Sequence, residues 1–419
     1  MIDQSASTRV FYGWWVCLAA FLNLFFAVGL VFYGLPVFYT SLVDTLHFTR
    51  SQVAQGLLLS FVLVAPFFGF LGAWIDRVGP RQVLRVGVLL VAVALVLMGG
   101  MSHLWQYYLL CVVEAVGYVL AGPITNQVLV SNWFRAKRGR AMGYAYLGLG
   151  AGGVAAPVLA SSLIATWGWR RALVITGALI GVVLFPIAQW LTRSTPADMG
   201  VVADGLDPAL ETRAASQPAS FPLGAAARTA NFWLILGGST LTIGAIGTVI
   251  QQFVLFLRDV GYTTAQAAHV SSGLLLAGLI GRVAVGYLAD RYNKKNVMAF
   301  FYLLLALAIP LLFLARQASA LWAFATLFGF AMGADYLLIP LLTADCFGLG
   351  ALGKLLSLII MADSLGQFFG PVLAGRIFEA THSYNLAWSI ITAAGIAGAA
   401  AIYAVRPPSG ATRKVDRAA

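Results

Sequence analysis

The stretches "VLLVAVALVLMGG" and "FFYLLLALAIPLLFLA" carry no charge. Each lies in a segment long enough to cross a hydrocarbon core, which takes about 20 residues of helix. Runs of this kind recur along the whole chain, and a soluble core cannot absorb them. Only 10% of the residues are charged and 60% are hydrophobic, against about 25% charged in ordinary soluble domains. The runs are apolar on every side and rich in Gly and Ala, whereas a barrel strand alternates apolar and polar positions over a short segment. Helices are the spanning structure that remains, so the chain reads as an all-α integral membrane protein.

The polar breaks divide it into twelve spans: 11–39, 53–74, 84–101, 107–130, 141–166, 172–192, 233–257, 267–289, 296–315, 319–341, 355–379 and 386–405. With both termini inside, the inner segments hold 19 of the 26 Lys and Arg and the outer ones 6, and Arg282 is left within a span. That asymmetry sets the orientation by the positive-inside rule and accounts for the net charge of +11. The basic residues are dispersed between spans and form no single stripe, so nucleic acid is not an expected partner. "MIDQSASTRVFYGWW" has one Arg, no compact apolar region and no clear cleavage site, so the first span is expected to stay in the protein. Cys17, Cys111 and Cys346 are far apart and give neither a disulfide framework nor metal-ligand spacing. The segment 194–231, rich in Pro, Ala, Ser and Asp, is expected to be a flexible cytoplasmic linker. It would join an N-terminal six-helix half, 1–193, to a C-terminal half, 232–405, with 406–419 as a cytoplasmic tail.

An internal echo supports the division. "GAWIDRVGPRQV" follows span two and "GYLADRYNKKNV" follows span eight; Gly72 and Gly286, Asp76 and Asp290, Arg77 and Arg291, and Val83 and Val297 all differ by 214. A constant offset near half the chain length marks a duplication. Two repeated six-helix halves place a substrate path between them near the bilayer midplane, the arrangement of alternating-access transporters.

Gly72, Asp76, Arg77, Gly79 and Arg81 resemble the loop signature of the major facilitator superfamily, and Gly286, Asp290, Arg291 and Lys295 repeat it. The resemblance extends over the chain. It implies twelve transmembrane helices in two pseudo-symmetric halves and a conformational latch at Gly72, Asp76, Arg77, Arg81, Gly286, Asp290 and Arg291. Asp76 ends its helix on the negative side of the helix dipole, so a neighbouring helix N-terminus or an Arg should hold it. "NWFRAKRGRAMGYAYLGLGAGG", "RVFYGWWVCLAAF" and "GQFFGPVLAG" are similar to segments of the monocarboxylate and oxalate/formate group. The Gly-Pro antiporter signature of span five is absent, which disfavours exchange.

Arg282 stands eight residues before Asp290, about 12 Å above the inner end of its helix. An Arg at the centre of a span costs roughly 2.5–3.5 kcal/mol on insertion scales. Gly278 and Gly286 lie one turn away on the same face and are expected to leave open space beside the guanidinium. Its planar fork fits a carboxylate, and the resemblance implies the same, since an Arg of span eight binds substrate in the monocarboxylate group. The plainer alternative is a permanent ion pair with a neighbouring acid. Three acids lie within spans, Asp363, Asp335 and Glu114; any of them could carry a coupled proton, with Asp363 placed first. Animal members of the group have an Asp one turn before the Arg, where this chain has Gly278, so that residue cannot be carried over. Tyr118, Asn126, Tyr144, Tyr146, Tyr336 and Gln367 lie at comparable depth and are candidates to complete a substrate site. A single deep cation favours a monocarboxylate.

No clustered nucleophile, metal or P-loop motif is present, which argues against an enzyme and against ATP-driven transport. The expected function is secondary transport of a small organic anion such as lactate or pyruvate with a proton. The alternatives are an organic-anion exchanger of the oxalate/formate type and a non-transporting sensor on the same fold. The expected partners are the carboxylate, protons and the lipid of a plasma (cytoplasmic) membrane. The protein should act as a monomer, with no cofactor and no metal.

Overall fold

The computed structural model describes residues 11–48, 50–64, 67–204, 223–262 and 264–406. Ten stretches among them are long and apolar enough to cross a membrane. One, Arg138–Leu191, has 54 residues; as a continuous helix it would be about 80 Å long, far beyond a hydrocarbon core of about 30 Å. The chain turns within it at Gly168, whose φ of 74° an L side chain rarely adopts, so this stretch supplies two spans. A further span, Arg50–Val64 with Phe67–Val78, flanks two residues outside the described set. The protein is thus a twelve-helix membrane bundle, as its apolar runs require.

We label the spans α1 to α12. The first, α1, comprises Gly13–Asn23, a π-helical stretch Leu24–Leu30 and Val31–Leu46. The span formed by Arg50–Val64 and Phe67–Val78 is α2, and Pro80–Met98 is α3. Next, α4 comprises Leu104–Ala121 and Pro123–Trp133. The halves of the long helix, 138–167 and 169–186, are α5 and α6. Ala230–Val260 is α7, Thr264–Arg291 is α8, and Lys294–Ala308 continued by Ile309–Leu314 is α9. Ala318–Met332 and Asp335–Phe347 form α10, Leu352–Thr381 is α11 and Asn385–Ala404 is α12.

The breaks in α4 and α10 are counterparts. Their outer bounds, 104 and 133 against 318 and 347, keep the offset of 214. Pro123 lacks an N–H and cannot continue the helical ladder, and carbonyls freed in a membrane must find other donors. Ala121 accepts from Asn23 (2.5 Å) and Asn126 (2.8 Å), Gly122 from Asn126 (2.8 Å), and Leu120 from Thr125 (2.6 Å). In α10 the break falls at Gly333–Ala334, and the side chain of Asp335, the first residue of the restarted helix, accepts from the Tyr336 N–H at 2.5 Å.

Within the first half, α1 and α5 touch backbone to backbone. A Cβ on Gly148 would collide with the carbonyl of Phe21, and one on Gly29 would lie 2.7 Å from the carbonyl of Leu149. Close approach through small residues is the main route to helix association in lipid. Gly148→Leu is therefore expected to destabilise by about 1–3 kcal/mol and to lower the thermal unfolding midpoint in detergent. An unshifted midpoint would mean the contact is dispensable. The three cysteines are buried and free, and Cys17 donates to the Ala141 carbonyl at 3.2 Å.

The start of the linker is more ordered than its composition predicts. Trp133 and Asn132 donate to the carbonyls of Arg193 (2.8 Å) and Ser194 (3.1 Å), and the Asp204 carboxylate accepts from the N–H groups of Arg135 (2.5 Å) and Lys137 (2.8 Å). One acid satisfying two loop donors ties this segment to the α4–α5 turn. Residues 205–222 of the linker and 407–419 of the tail lie outside the described residues.

Candidate functional site

The two halves meet at the end of the bundle that carries most basic loops, through two matched contacts. Asp76, at the end of α2, accepts from the N–H groups of Gly353 (3.0 Å) and Lys354 (3.2 Å), which begin α11. Asp290, at the end of α8, accepts from Gly139 (2.6 Å) and Arg140 (3.1 Å), which begin α5. Gly139 and Arg140 precede Gly353 and Lys354 by the same 214 residues. Each carboxylate thus sits on the positive end of a helix dipole in the other half, with orphan N–H groups as donors. Gly72 and Gly286 permit the approach: a Cβ on Gly72 would lie 2.5 Å from the Gly353 carbonyl, and one on Gly286 2.7 Å from that of Gly139.

The contacts are matched but unequal. Arg140 adds an ion pair to Asp290 at 2.9 Å and stacks over the Tyr287 ring at 5.2 Å, and the Tyr287 hydroxyl pairs with that of Tyr144 at 2.7 Å. Lys354 makes no ion pair with Asp76. Arg81 works inside the first half, its N–H donating to the Ser194 hydroxyl at 3.3 Å and its guanidinium to the Gln189 carbonyl. Arg77 and Arg291 are exposed and make no hydrogen bond among the described residues.

Above this closed end, the breaks of α4 and α10 face each other. Gln127, fully buried on α4, donates to the Tyr146 hydroxyl at 2.6 Å and across the halves to the Tyr336 carbonyl at 2.9 Å. Gln367 on α11 donates to the Tyr336 hydroxyl at 2.7 Å. Every hydrogen bond between the halves among the described residues is one of these contacts, and none lies nearer the opposite end. Interrupted helices at corresponding positions of two repeats are where such folds build binding sites, because unwound backbone is tolerated where it lines a cavity.

Arg282 stands at this level on α8. It makes no hydrogen bond or ion pair; the ion pairs among the described residues are Arg140–Asp290 and Lys294–Asp345 (2.7 Å). Its Nε is buried without a partner. Asp335, Tyr33 and Tyr146 lie within reach of its charge, with Asp335 beyond ion-pair contact. The expectation that Gly278 and Gly286 open space beside the guanidinium needs correction. A Cβ on Gly278 would meet the Gly329 carbonyl of α10 at 3.2 Å, and Gly286 is filled by Gly139. The glycine at the guanidinium is Gly150 of α5, where a Cβ would lie 2.8 Å from Nη1. A sequence shows a helix face but not which neighbour fills it.

The remaining polar candidates separate. Tyr146, Tyr336 and Gln367 belong to the network at the α10 break. Asn126 is fully buried and spends its amide donors on its own helix, and Tyr144 is bound to Tyr287 below the site. Tyr118 packs on Phe32 at 6.0 Å and shares its surroundings with Glu114, which lies nearer the opposite end. Asp363 is fully buried and bound to α7.

Residues 16–281 and 232–419 match the model of the Major Facilitator Superfamily. Monocarboxylate transporter 13 of Rattus norvegicus is 25% identical over 92% of this chain and 87% of its own length. Monocarboxylate transporter 12 of Homo sapiens is 26% identical over 73% and 63%. The crystal structure of the E. coli fucose:proton symporter FucP superposes with a TM-score of 0.73 at 15% identity, covering 95% of this chain and all of that one. Together with the duplicated twelve-helix architecture, these matches place the chain in the Major Facilitator Superfamily, as a membrane transporter.

Proposed function

We propose that the chain moves a small monocarboxylate together with one proton across the plasma membrane, with the basic end and both termini cytoplasmic. The observation that carries this reading is the unpaired Arg282, held near mid-membrane between the halves with an unsatisfied Nε. Relatives named as monocarboxylate transporters support it. A carboxylate takes two parallel hydrogen bonds from a guanidinium, and the N-terminus of the restarted α10 helix adds a favourable dipole at the same level.

Coupling follows from charge balance. In the empty site Arg282 is offset by ionised Asp335. A substrate carboxylate that takes the guanidinium leaves Asp335 without its counter-charge, and Asp335 then binds a proton. Net site charge is zero in both states, so the halves can rock empty or loaded without carrying a bare charge through lipid. Asp335 is preferred to Asp363 because Arg282 is its neighbouring cation, whereas Asp363 is bound to Ser239 and Thr240 of α7.

Proteoliposome uptake across an imposed pH gradient tests the reading. One proton per anion predicts about tenfold accumulation per unit of pH difference, since one unit is worth 1.36 kcal/mol. Asp335→Asn should abolish accumulation. Wild-type uptake that is unchanged when the gradient collapses would remove proton coupling.

A further inference from the structure

Asp363 is unused by this mechanism. It faces α7 from α11 with none of its surface exposed. Its Oδ1 accepts two hydrogen bonds from α7, from the hydroxyls of Ser239 at 2.7 Å and Thr240 at 3.2 Å, while Oδ2 is buried with no partner. The ionisable groups around it are Asp335 and Tyr336 on α10 and Tyr302 on α9, all of them acids, and the Tyr302 hydroxyl is buried without a partner as well. Among the described residues no Lys, Arg or His hydrogen-bonds to Asp363 or forms an ion pair with it.

An ionised carboxylate in that position would be a desolvated charge with one bare oxygen and no counter-ion, which folded proteins avoid. Some cation must neutralise it. Both hydroxyls reach Oδ1, and the Ser239 hydroxyl, which has a single proton, also reaches the Leu236 carbonyl at 3.1 Å. Two donors converging on one oxygen suit the carbonyl oxygen of a neutral carboxyl, with the proton on Oδ2. We propose that Ser239, Thr240 and Asp363 form a second proton-binding site, inside the C-terminal half and separate from Arg282 and Asp335. It is occupied while the basic end is closed. Above it α7 and α11 are in backbone contact, a Cβ on Gly366 falling 2.7 Å from the Thr240 carbonyl and 3.3 Å from the Gly244 Cα.

Infrared spectroscopy of the full-length protein in lipid, at neutral pH and without substrate, tests the site. It stands or falls apart from the reading of Arg282. The expected result is a protonated-carboxyl band that is lost in Asp363→Asn, kept in Asp335→Asn and unchanged when potassium is exchanged for sodium. Ser239→Ala, which keeps the acid, should shift the band by removing one donor to Oδ1, and it serves where Asp363→Asn does not accumulate. A spectrum without the band, a band indifferent to both changes, or a band abolished by sodium would overturn the proposal.

Discussion

Uptake through Arg282→Gln is expected to fall on the order of 30-fold or more at limiting substrate. Truncating one partner of a buried hydrogen-bonded charge pair costs roughly 2–5 kcal/mol, and each 1.4 kcal/mol is a factor of ten. The loss should appear in binding as well as in flux, because no described residue hydrogen-bonds to the guanidinium or forms an ion pair with it, and Asp335 offsets its charge only at longer range. A purely structural arginine would instead lower expression and thermal stability and leave the affinity of the surviving protein normal. Arg282→Lys separates charge from shape, since the ammonium keeps the charge but cannot offer a planar fork. It should recover part of the uptake and little of the discrimination for carboxylates. Normal apparent affinity in Arg282→Gln would sink the assignment.

Arg282 could be found without a structure because a charge inside an apolar run must be explained. The duplication is legible for a similar reason, since Asp76 and Asp290 end their helices in polar segments that stand out against apolar sequence. What each acid binds was harder to read. Gly139–Arg140 and Gly353–Lys354 keep the 214 offset, yet they share only one glycine and a positive charge, and the chain has 44 glycines. The breaks in α4 and α10 left a trace in "AGPIT" and "MGADY", but apolar composition continues through both and the spans read as unbroken. Gln127 was invisible as a cross-half donor, because its role depends on which carbonyl the facing helix has unwound. Asn126 and Tyr144 illustrate the converse. Polar residues at the right depth are as easily spent on a helix break or on a neighbouring tyrosine as on a ligand.

The inequality of the two closing contacts predicts which substitution opens the basic end. Asp290→Asn removes a charge that accepts from two backbone N–H groups and from Arg140. Asp76→Asn removes one that accepts from two N–H groups alone. Hydrogen bonds to charged groups contribute about 1.5–3 kcal/mol each, so the extra bond should make Asp290→Asn favour the open state roughly tenfold more than Asp76→Asn. The Tyr144–Tyr287 pair and the stacking of Arg140 on Tyr287 depend on the same α5–α8 approach, which widens the gap. Spin labels at Lys137 and Tyr292, both exposed beside that contact, would report the separation. The long-distance population should rise strongly in Asp290→Asn and weakly in Asp76→Asn. Equal populations in the two variants would mean that the backbone caps alone hold the halves, with Arg140 a bystander. A larger effect from Asp76→Asn would place the stronger closure at α2 and α11, where the ion pair is missing, and would refute the ranking drawn from the geometry.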